Sequence, residues 1–313
     1  MLSNLVVSIE AVLPLFILMS IGLIIKKAKV LTPEEIKHFN HMVFLVFFPE
    51  MMFASLYGKN IADAINVKLI IFGVAMVFLI YFIAMAVVMP IEKTQESRGA
   101  MIQAIYRSNF VIMGLPIASN ICGSSNLAVT AMMVAIIVPL YNVLAVITLE
   151  VFRGGKPKLS HILVQLAKNP LLIGAACGII AIVTGLQLPK VIENVVFDMS
   201  DVATPLAVII LGASISRQSI ERCRRDLIIC VVGRLGVAPA IGLTLAALLG
   251  FRGVAFVTLI AIFASPTAVS SFTMAESMDS DGELAGNCVV FSTALSCFTM
   301  FVWIFVFKSM GMF

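Results

Sequence analysis

The chain is patterned by long apolar runs separated by short polar breaks. Ten such runs can be drawn, at Leu5–Ile25, Phe39–Tyr57, Val67–Met89, Ala100–Ile121, Leu127–Phe152, Pro170–Leu186, Val202–Ile215, Leu227–Leu249, Val254–Ser277 and Leu284–Phe307. A helix needs roughly 17–25 apolar residues to cross a bilayer, so the pattern predicts an all-α polytopic membrane protein with ten transmembrane helices. Five runs fall in residues 1–152 and five in 169–313, joined by a loop at 153–168. An odd number of crossings sends the second half through the membrane upside down. The expectation is therefore a 5+5 inverted repeat.

The fourth and ninth runs are interrupted at mid-length. In the fourth, Arg107-Ser-Asn-Phe-Val-Ile-Met-Gly-Leu-Pro-Ile-Ala-Ser-Asn120 carries Gly114 and Pro116; in the ninth, Phe263-Ala-Ser-Pro-Thr-Ala-Val-Ser-Ser-Phe272 carries Ser265, Pro266 and Thr267. Proline clashes with the preceding turn inside a helix but fits the first helical position. Ser265 and Pro266 thus read as the cap and first residue of a half-helix starting inside the membrane, and Gly114-Leu-Pro116 reads the same way. A mere kink is the competing reading for either run alone. Interruptions at matching places in two halves point instead to a transporter's binding site, with Asn109, Asn120, Ser265, Thr267, Ser270 and Ser271 as its polar groups. A half-helix N-terminus offers unbonded N–H groups and about half a positive charge, a cradle for a carboxylate. Because the repeats are inverted, the two N-termini would converge on one bound group.

Composition removes other classes. With 61% hydrophobic and 12% charged residues and a mean hydropathy of +1.09, the chain is no ordinary soluble domain. A net charge of +4 spread among loops does not suggest nucleic-acid binding. The positive residues report orientation instead, since cytoplasmic loops retain them. They gather in the first, third, fifth and seventh connections (Lys26 to Lys37, Lys93 and Arg98, Arg153 to Lys168, Arg217 to Arg225), whereas the even ones offer little beyond Lys59, Lys190 and Arg252. Odd connections are expected to be cytoplasmic and both termini extracytoplasmic. The ninth, Asp279 to Glu283, has no positive charge. The six cysteines lie mostly in apolar runs with no C-x-x-C pair and read as buried thiols. The N-terminus lacks the positive n-region of a cleaved signal peptide.

Ionisable residues within membrane runs are expensive and mark functional candidates. Glu50, directly after Pro49, falls near the midplane, where a carboxylate can carry a coupling proton or hold a cation; a neutral acid bonded to nearby backbone is the alternative. Arg107 and Arg234 can pair with a substrate carboxylate or with Glu50, although an arginine near an interface can also snorkel.

These residues also carry a family resemblance. Asn109-Phe-Val-Ile-Met-Gly-Leu-Pro116 resembles the Asn-x-x-x-x-Gly-[Ile/Leu]-Pro stretch of the auxin efflux carrier family, which includes plant auxin exporters and bacterial malate and malonate permeases. Further matches are Pro139-Leu-Tyr-Asn142, Asn169-Pro170, Ala203-Thr-Pro-Leu206, Leu211-Gly-Ala213, Arg234 ahead of Pro239, Ser265-Pro-Thr-Ala268 and Met274-Ala275. The resemblance spans essentially the whole chain. It implies ten helices with discontinuous, crossed fourth and ninth helices, an architecture related to the sodium–bile acid symporters. It also implies carriage of an organic carboxylate near Asn109. The short central loop departs from many plant carriers and favours a bacterial permease; Glu50 stands where small residues are more usual.

The expected function is a secondary transporter of a small organic anion, a mono- or dicarboxylate such as malate or an auxin-like acid. Substrate contacts are assigned to Asn109, Gly114, Pro116, Asn120, Ser265, Pro266, Thr267, Ser270, Ser271 and Arg234, and coupling or gating to Glu50, Arg107 and Asn142. No cofactor and no metal centre are expected, beyond a coupling H+ or Na+. The partners are the carboxylate, the lipid bilayer of a plasma (bacterial inner) membrane and, in one reading, a second copy in a homodimer. A carrier of an organic cation, using Glu50 and Glu10, and a non-transporting sensor are the alternatives. An enzyme is disfavoured, since no H-E-x-x-H, G-x-S-x-G or P-loop pattern occurs.

Overall fold

The computed structural model describes residues 2–58, 66–123, 127–153 and 159–313, the side chains of 2–12, 113–115 and 159–162 excepted. Lys59, Lys156, Lys158 and the side chain of Glu10 lie outside this set. In chain order the helices are α1 (Leu2–Lys27), α2 (Pro33–Met42), α3 (Phe48–Leu56), α4 (Val67–Ile91), α5 (Gln95–Tyr106), α6 (Phe110–Cys122), α7 (Ala128–Val151) and α8 (Leu159–Lys168). There follow α9 (Pro170–Thr184), α10 (Lys190–Ser214), α11 (Arg217–Arg222), α12 (Arg224–Val232), α13 (Ala238–Leu248), α14 (Gly253–Ala264), α15 (Ser270–Ser277) and α16 (Gly282–Ser309). No strand occurs among the described residues, apart from one isolated bridge.

Six continuous helical stretches are long and apolar enough to cross a membrane: Pro33–Leu56, Val67–Ile91, Ala128–Val151, Lys190–Ser214, Arg224–Leu248 and Gly282–Ser309. Shorter apolar helices, Phe110–Cys122, Pro170–Thr184 and Gly253–Ala264, accompany them. The chain is a multi-pass membrane protein. Two of the long stretches contain a π-helical turn, Val43–Phe47 and Gly233–Val237, each just ahead of a proline, Pro49 or Pro239. Proline cannot donate to the turn before it and crowds a carbonyl there; a wider turn relieves the crowding without ending the helix.

The run Phe39–Tyr57 belongs to a helical stretch that starts at Pro33, and α8 (Leu159–Lys168) lies within 153–168, expected to be a loop. Val202–Ile215 is only the later part of α10, a 25-residue helix that starts at Lys190. Glu193, Asp198 and Asp201 hid its polar first half, and Pro189, at the cap, starts it.

Helices α1 and α10 meet backbone to backbone. A Cβ added to Gly22 would lie 2.0 Å from the Ile209 carbonyl oxygen, and one on Gly212 would lie 2.1 Å from that of Met19. Helices α9 and α3 meet in the same way, with a Cβ on Gly174 placed 2.3 Å from the Pro49 oxygen. Only glycine permits such approach, the device by which membrane helices gain dispersion contact where no hydrophobic drive exists between them.

The ninth connection's lack of positive charge has a structural counterpart. Asp279 takes Arg153 Nη2 at 2.5 Å, Glu283 pairs with Arg222, and Asp281 accepts from Ser97 Oγ at 2.7 Å. The acidic turn is thus held by the basic connections around it. The cysteines are all free, but Cys177 is exposed and Cys122 and Cys297 are half-buried, so the expectation of buried thiols holds for Cys223, Cys230 and Cys288 alone.

Candidate functional site

The two interrupted segments touch at their breaks. Between α5 and α6 the chain is extended at Arg107, and between α14 and α15 it is extended at Ser265. Ser108 and Thr267 form an antiparallel bridge, in which Asn109 N–H donates to the Pro266 oxygen at 2.7 Å. Backbone freed at the two breaks is therefore partly satisfied by the other break, as buried irregular backbone in a membrane protein must be.

The first break falls elsewhere than its proline suggested, whereas the second falls at Ser265 to Thr267 as expected. The first lies at Arg107 to Asn109, and Gly114 and Pro116 sit inside α6, with Pro116 exposed. The polar Arg-Ser-Asn, not the Gly-Leu-Pro, ends the first half-helix, and Pro116 is simply tolerated in an apolar helix. In the second, Pro266 is not a first helical residue. It lies in the extended linker, where it drives Ser265 to ψ 150°, and α15 begins only at Ser270. Asn120 is exposed near the end of α6, away from the break.

The helix ends sort by polarity. The C-terminal carbonyls of α5 and α14 converge on Arg234, which is wholly buried. Its Nε donates to Ser265 O at 2.9 Å, Nη1 to Ile105 O at 3.3 Å and Tyr106 O at 3.0 Å, and Nη2 to Ile262 O at 3.1 Å and to Phe263 O. A cation is at rest against negative helix ends. Every guanidinium nitrogen is occupied, so Arg234 has no donor left for a ligand. Arg234, expected at the substrate, instead ties the ends of α5 and α14 together through backbone carbonyls. Thr267 assists, its Oγ1 donating to Ala104 O at 2.9 Å.

The N-terminal ends border a cavity of about 40 Å³. Asn109, Val111 and Ile112 of the α6 start line it, together with Val269 and Ser270 at the α15 start and Arg107. Arg107 is 3% exposed. Its Nη1 donates to Gln103 Oε1 at 2.6 Å and Met274 Sδ at 2.8 Å, and its Nη2 to Asn142 Oδ1 at 2.5 Å and Ser270 Oγ at 2.8 Å. None of these partners is charged, and no carboxylate lies within ion-pair distance among the described residues. Asn109 Nδ2 is buried without an acceptor. The opposite wall is apolar and soft: Phe48, Met51 and Met52 of α3, with Thr204 of α10. Asn142 Nδ2 reaches Met52 Sδ at 2.8 Å across it.

Of the residues picked from sequence, Asn109, Ser270, Arg107 and Asn142 come together at this cavity. Ser265, Pro266 and Thr267 do not line it and lie in the linker between α14 and α15. Ser271 is buried nearby in the chain with an unbonded hydroxyl. Glu50 does not line the cavity; it precedes Met51, and its Oε2 is buried without a partner. Gln103, Ser108, Tyr141 and Thr204 were missed. Gln103 was findable, being a polar residue one turn before Arg107 in an apolar run, and so was Tyr141, beside Asn142, whose hydroxyl takes Ser108 Oγ at 3.3 Å.

A multi-pass apolar chain with charged side chains buried at the meeting of two interrupted helices has the features expected of a membrane transport protein. Residues 7–304 match the family described as "Membrane transport protein". The chain belongs to that family, the one in which the auxin efflux carriers are placed. It is 24% identical over 307 residues to an uncharacterized transporter of Methanocaldococcus jannaschii, covering 95% of this chain and 98% of the relative. It is 26% identical over 302 residues to an uncharacterized transporter of Methanothermobacter thermautotrophicus, covering 95% and 97%.

Proposed function

We propose that this transporter is a secondary carrier of a small organic anion, a mono- or dicarboxylate, bound between the starts of α6 and α15. One observation carries the reading: Arg107 is a buried cation with neutral partners only, beside an unbonded amide N–H of Asn109 and two helix N-termini. All of these favour negative charge, and a buried charge without a counterion is costly unless a ligand supplies one. The same feature disfavours the organic-cation alternative. The Met51, Met52 and Phe48 wall suits the carbon skeleton.

Ligand pockets usually run to about 300–1,000 Å³, so a 40 Å³ cavity corresponds to a closed arrangement. Opening requires the α3 and α10 wall to part from the α6 and α15 starts. A second cavity of about 510 Å³, with Lys26, Lys29 and Lys37 at its edge, lies between α1, α2, α10, α15 and α16. By the positive-inside pattern it opens to the cytoplasm and serves as the approach for anions from that side. Lys37 and Glu276, 3.5 Å apart, and Asn40 bonded to Thr273 O and Ser277 Oγ, join α2 to α15 there.

The architecture is read as ten crossings in two inverted repeats, 1–152 and 169–313, with 153–168 between them, in a plasma membrane with both termini outside. The glycine-packed pairs favour it: exchanging first with sixth and second with seventh crossings turns the α1–α10 pair into the α9–α3 pair, and each has its own close glycine contact. Moving one charge across 100 mV costs about 2.3 kcal/mol, so uptake of a dianion into a negative interior needs a coupled cation, H+ or Na+. Glu50, with its unbonded buried oxygen, is the coupling candidate. Carboxylate uptake into proteoliposomes that ignores imposed pH and sodium gradients, and survives Glu50→Gln unchanged, would exclude coupling there.

The binding test is a thermal-shift titration of carboxylates, malate and indole-type acids included, on the detergent-solubilised protein, since a ligand stabilises with the logarithm of its concentration over Kd. Asn109→Ala removes one hydrogen bond to a charged group and is expected to weaken binding about 10- to 100-fold. Unchanged affinity in that variant refutes the site.

A further inference from the structure

Outside the crossing, the surface between α12 and α16 carries a second feature. A groove of about 480 Å³ runs between Leu227, Ile228, Val231 and Val232 on one side and Phe291 and Leu295 on the other, and Arg224 and Glu221 stand at its mouth. It faces away from the protein interior, since Ile228, Val232 and Leu295 are each about half exposed.

Most of the charged groups around the groove are engaged with one another. Arg217 pairs with Glu221 at 3.2 Å, and Arg222 pairs with Glu283. Arg225 donates to Ile91 O at 3.3 Å and lies close to Glu92. Asp226 sits among Arg225, Glu92 and Asp281 rather than by Arg224. Arg224 alone of the four arginines has neither an ion pair nor a hydrogen bond among the described residues. It also occupies the first turn of α12, beside Arg225. That turn already carries Asp226, and Arg225 is directed to Ile91 O and Glu92, so the cation left for a ligand at the groove is the exposed Arg224.

We propose that this groove binds an anionic phospholipid, its phosphate on Arg224 at the α12 start and one acyl chain along the α12–α16 groove. The two halves of the site call for the two halves of such a molecule. The apolar part opens sideways to the hydrocarbon, where a free anion has no reason to go; the cationic part lies at the end of the helix shared with the basic connections. Basic pockets between membrane helices on the cytoplasmic side are recognised headgroup sites. The inference is independent of the transported substrate.

Native mass spectrometry of the detergent-solubilised full chain, with phosphatidylglycerol or phosphatidylcholine of matched chains added, tests it. The wild-type protein is expected to retain phosphatidylglycerol preferentially. Arg224→Gln, an exposed change that removes no internal bond, is expected to weaken that binding roughly fivefold, the ratio one arginine commands near an anionic headgroup. Ile228→Trp, which fills the groove at an exposed position, is expected to weaken binding of both lipids. Equal retention of the two lipids by the wild-type protein, unaltered phosphatidylglycerol binding in both variants, or its displacement by millimolar inorganic phosphate would each overturn the proposal.

Discussion

Arg107 and Arg234 look alike in the sequence, and both are almost completely buried where the two broken segments meet. Their surroundings are opposite. Arg234 lies against the C-terminal ends of α5 and α14, and its nitrogens all donate to backbone carbonyls. Arg107 lies near the N-terminal starts of α6 and α15 and donates to side chains only. The first cation completes the folded protein; the second lacks its counter-charge. A buried arginine is thus read from the polarity of the helix ends it faces, and depth alone does not distinguish a clamp from a binding group.

The largest effect expected from this contrast is on folding. Arg234→Met leaves carbonyls of Ile105, Tyr106, Ile262, Phe263 and Ser265 without their donor in a dry interior. Breaking a buried charged network of this kind costs about 3–5 kcal/mol, which lowers a melting temperature by roughly 10 °C in a chain of this size. Arg234→Lys restores the charge but cannot span five acceptors from two helices, because its donors radiate from one point, and an intermediate value is expected. Wild-type melting of Arg234→Met in detergent would break the comparison outright.

Arg107→Gln is expected to act the other way round. The amide can still bond Gln103, Asn142 or Ser270, while an unpaired buried charge disappears, so the unliganded protein should melt no lower than wild type and should melt higher if desolvation dominates. Carboxylate binding should fall by at least about 100-fold, as when one member of a buried charge pair is lost. A variant that is destabilised like Arg234→Met yet still binds would reverse the roles assigned to the two residues.

How much of this was legible beforehand depends on what each signal measures. Apolar run length reports the membrane solvent directly, and it located the helices apart from the polar starts of α2 and α10 and from α8, which lies in the stretch expected to be a loop. Polarity within apolar runs brought Asn109 and Arg234 to notice, and the family motif Asn142, without saying what each touches. Gly114 and Pro116 misplaced the first break by several residues, whereas Ser265 to Thr267 marked the second, because helix interruption in an apolar setting needs partners for the freed backbone more than it needs a proline. At Arg107 to Asn109 those partners come from Pro266 and Thr267, far away in the chain. The partners of Arg234 were hidden for the same reason: its acceptors are carbonyls of apolar residues, which no side-chain pattern announces. Glycine gave no warning of its use at Gly22, Gly212 and Gly174, where the contact lies on another helix.

The smallest effect tests whether the clamp extends beyond Arg234. Thr267 Oγ1 donates to Ala104 O in the last turn of α5, next to the carbonyls that Arg234 holds, while the Thr267 N–H takes Ser292 Oγ at 3.1 Å as its own acceptor. Thr267→Val keeps the shape and the backbone bridge but removes the hydroxyl. One neutral hydrogen bond is worth about 1 kcal/mol, so the melting temperature should fall by only about 2–4 °C. Since Thr267 lies behind the cavity and does not line it, carboxylate affinity should stay within about twofold of wild type, less than the change expected from losing a bond to the ligand. A loss of affinity as large as that of Asn109→Ala would move Thr267 from the clamp to the ligand. The division between the two helix polarities would then have to be redrawn through the Ser108–Thr267 bridge itself.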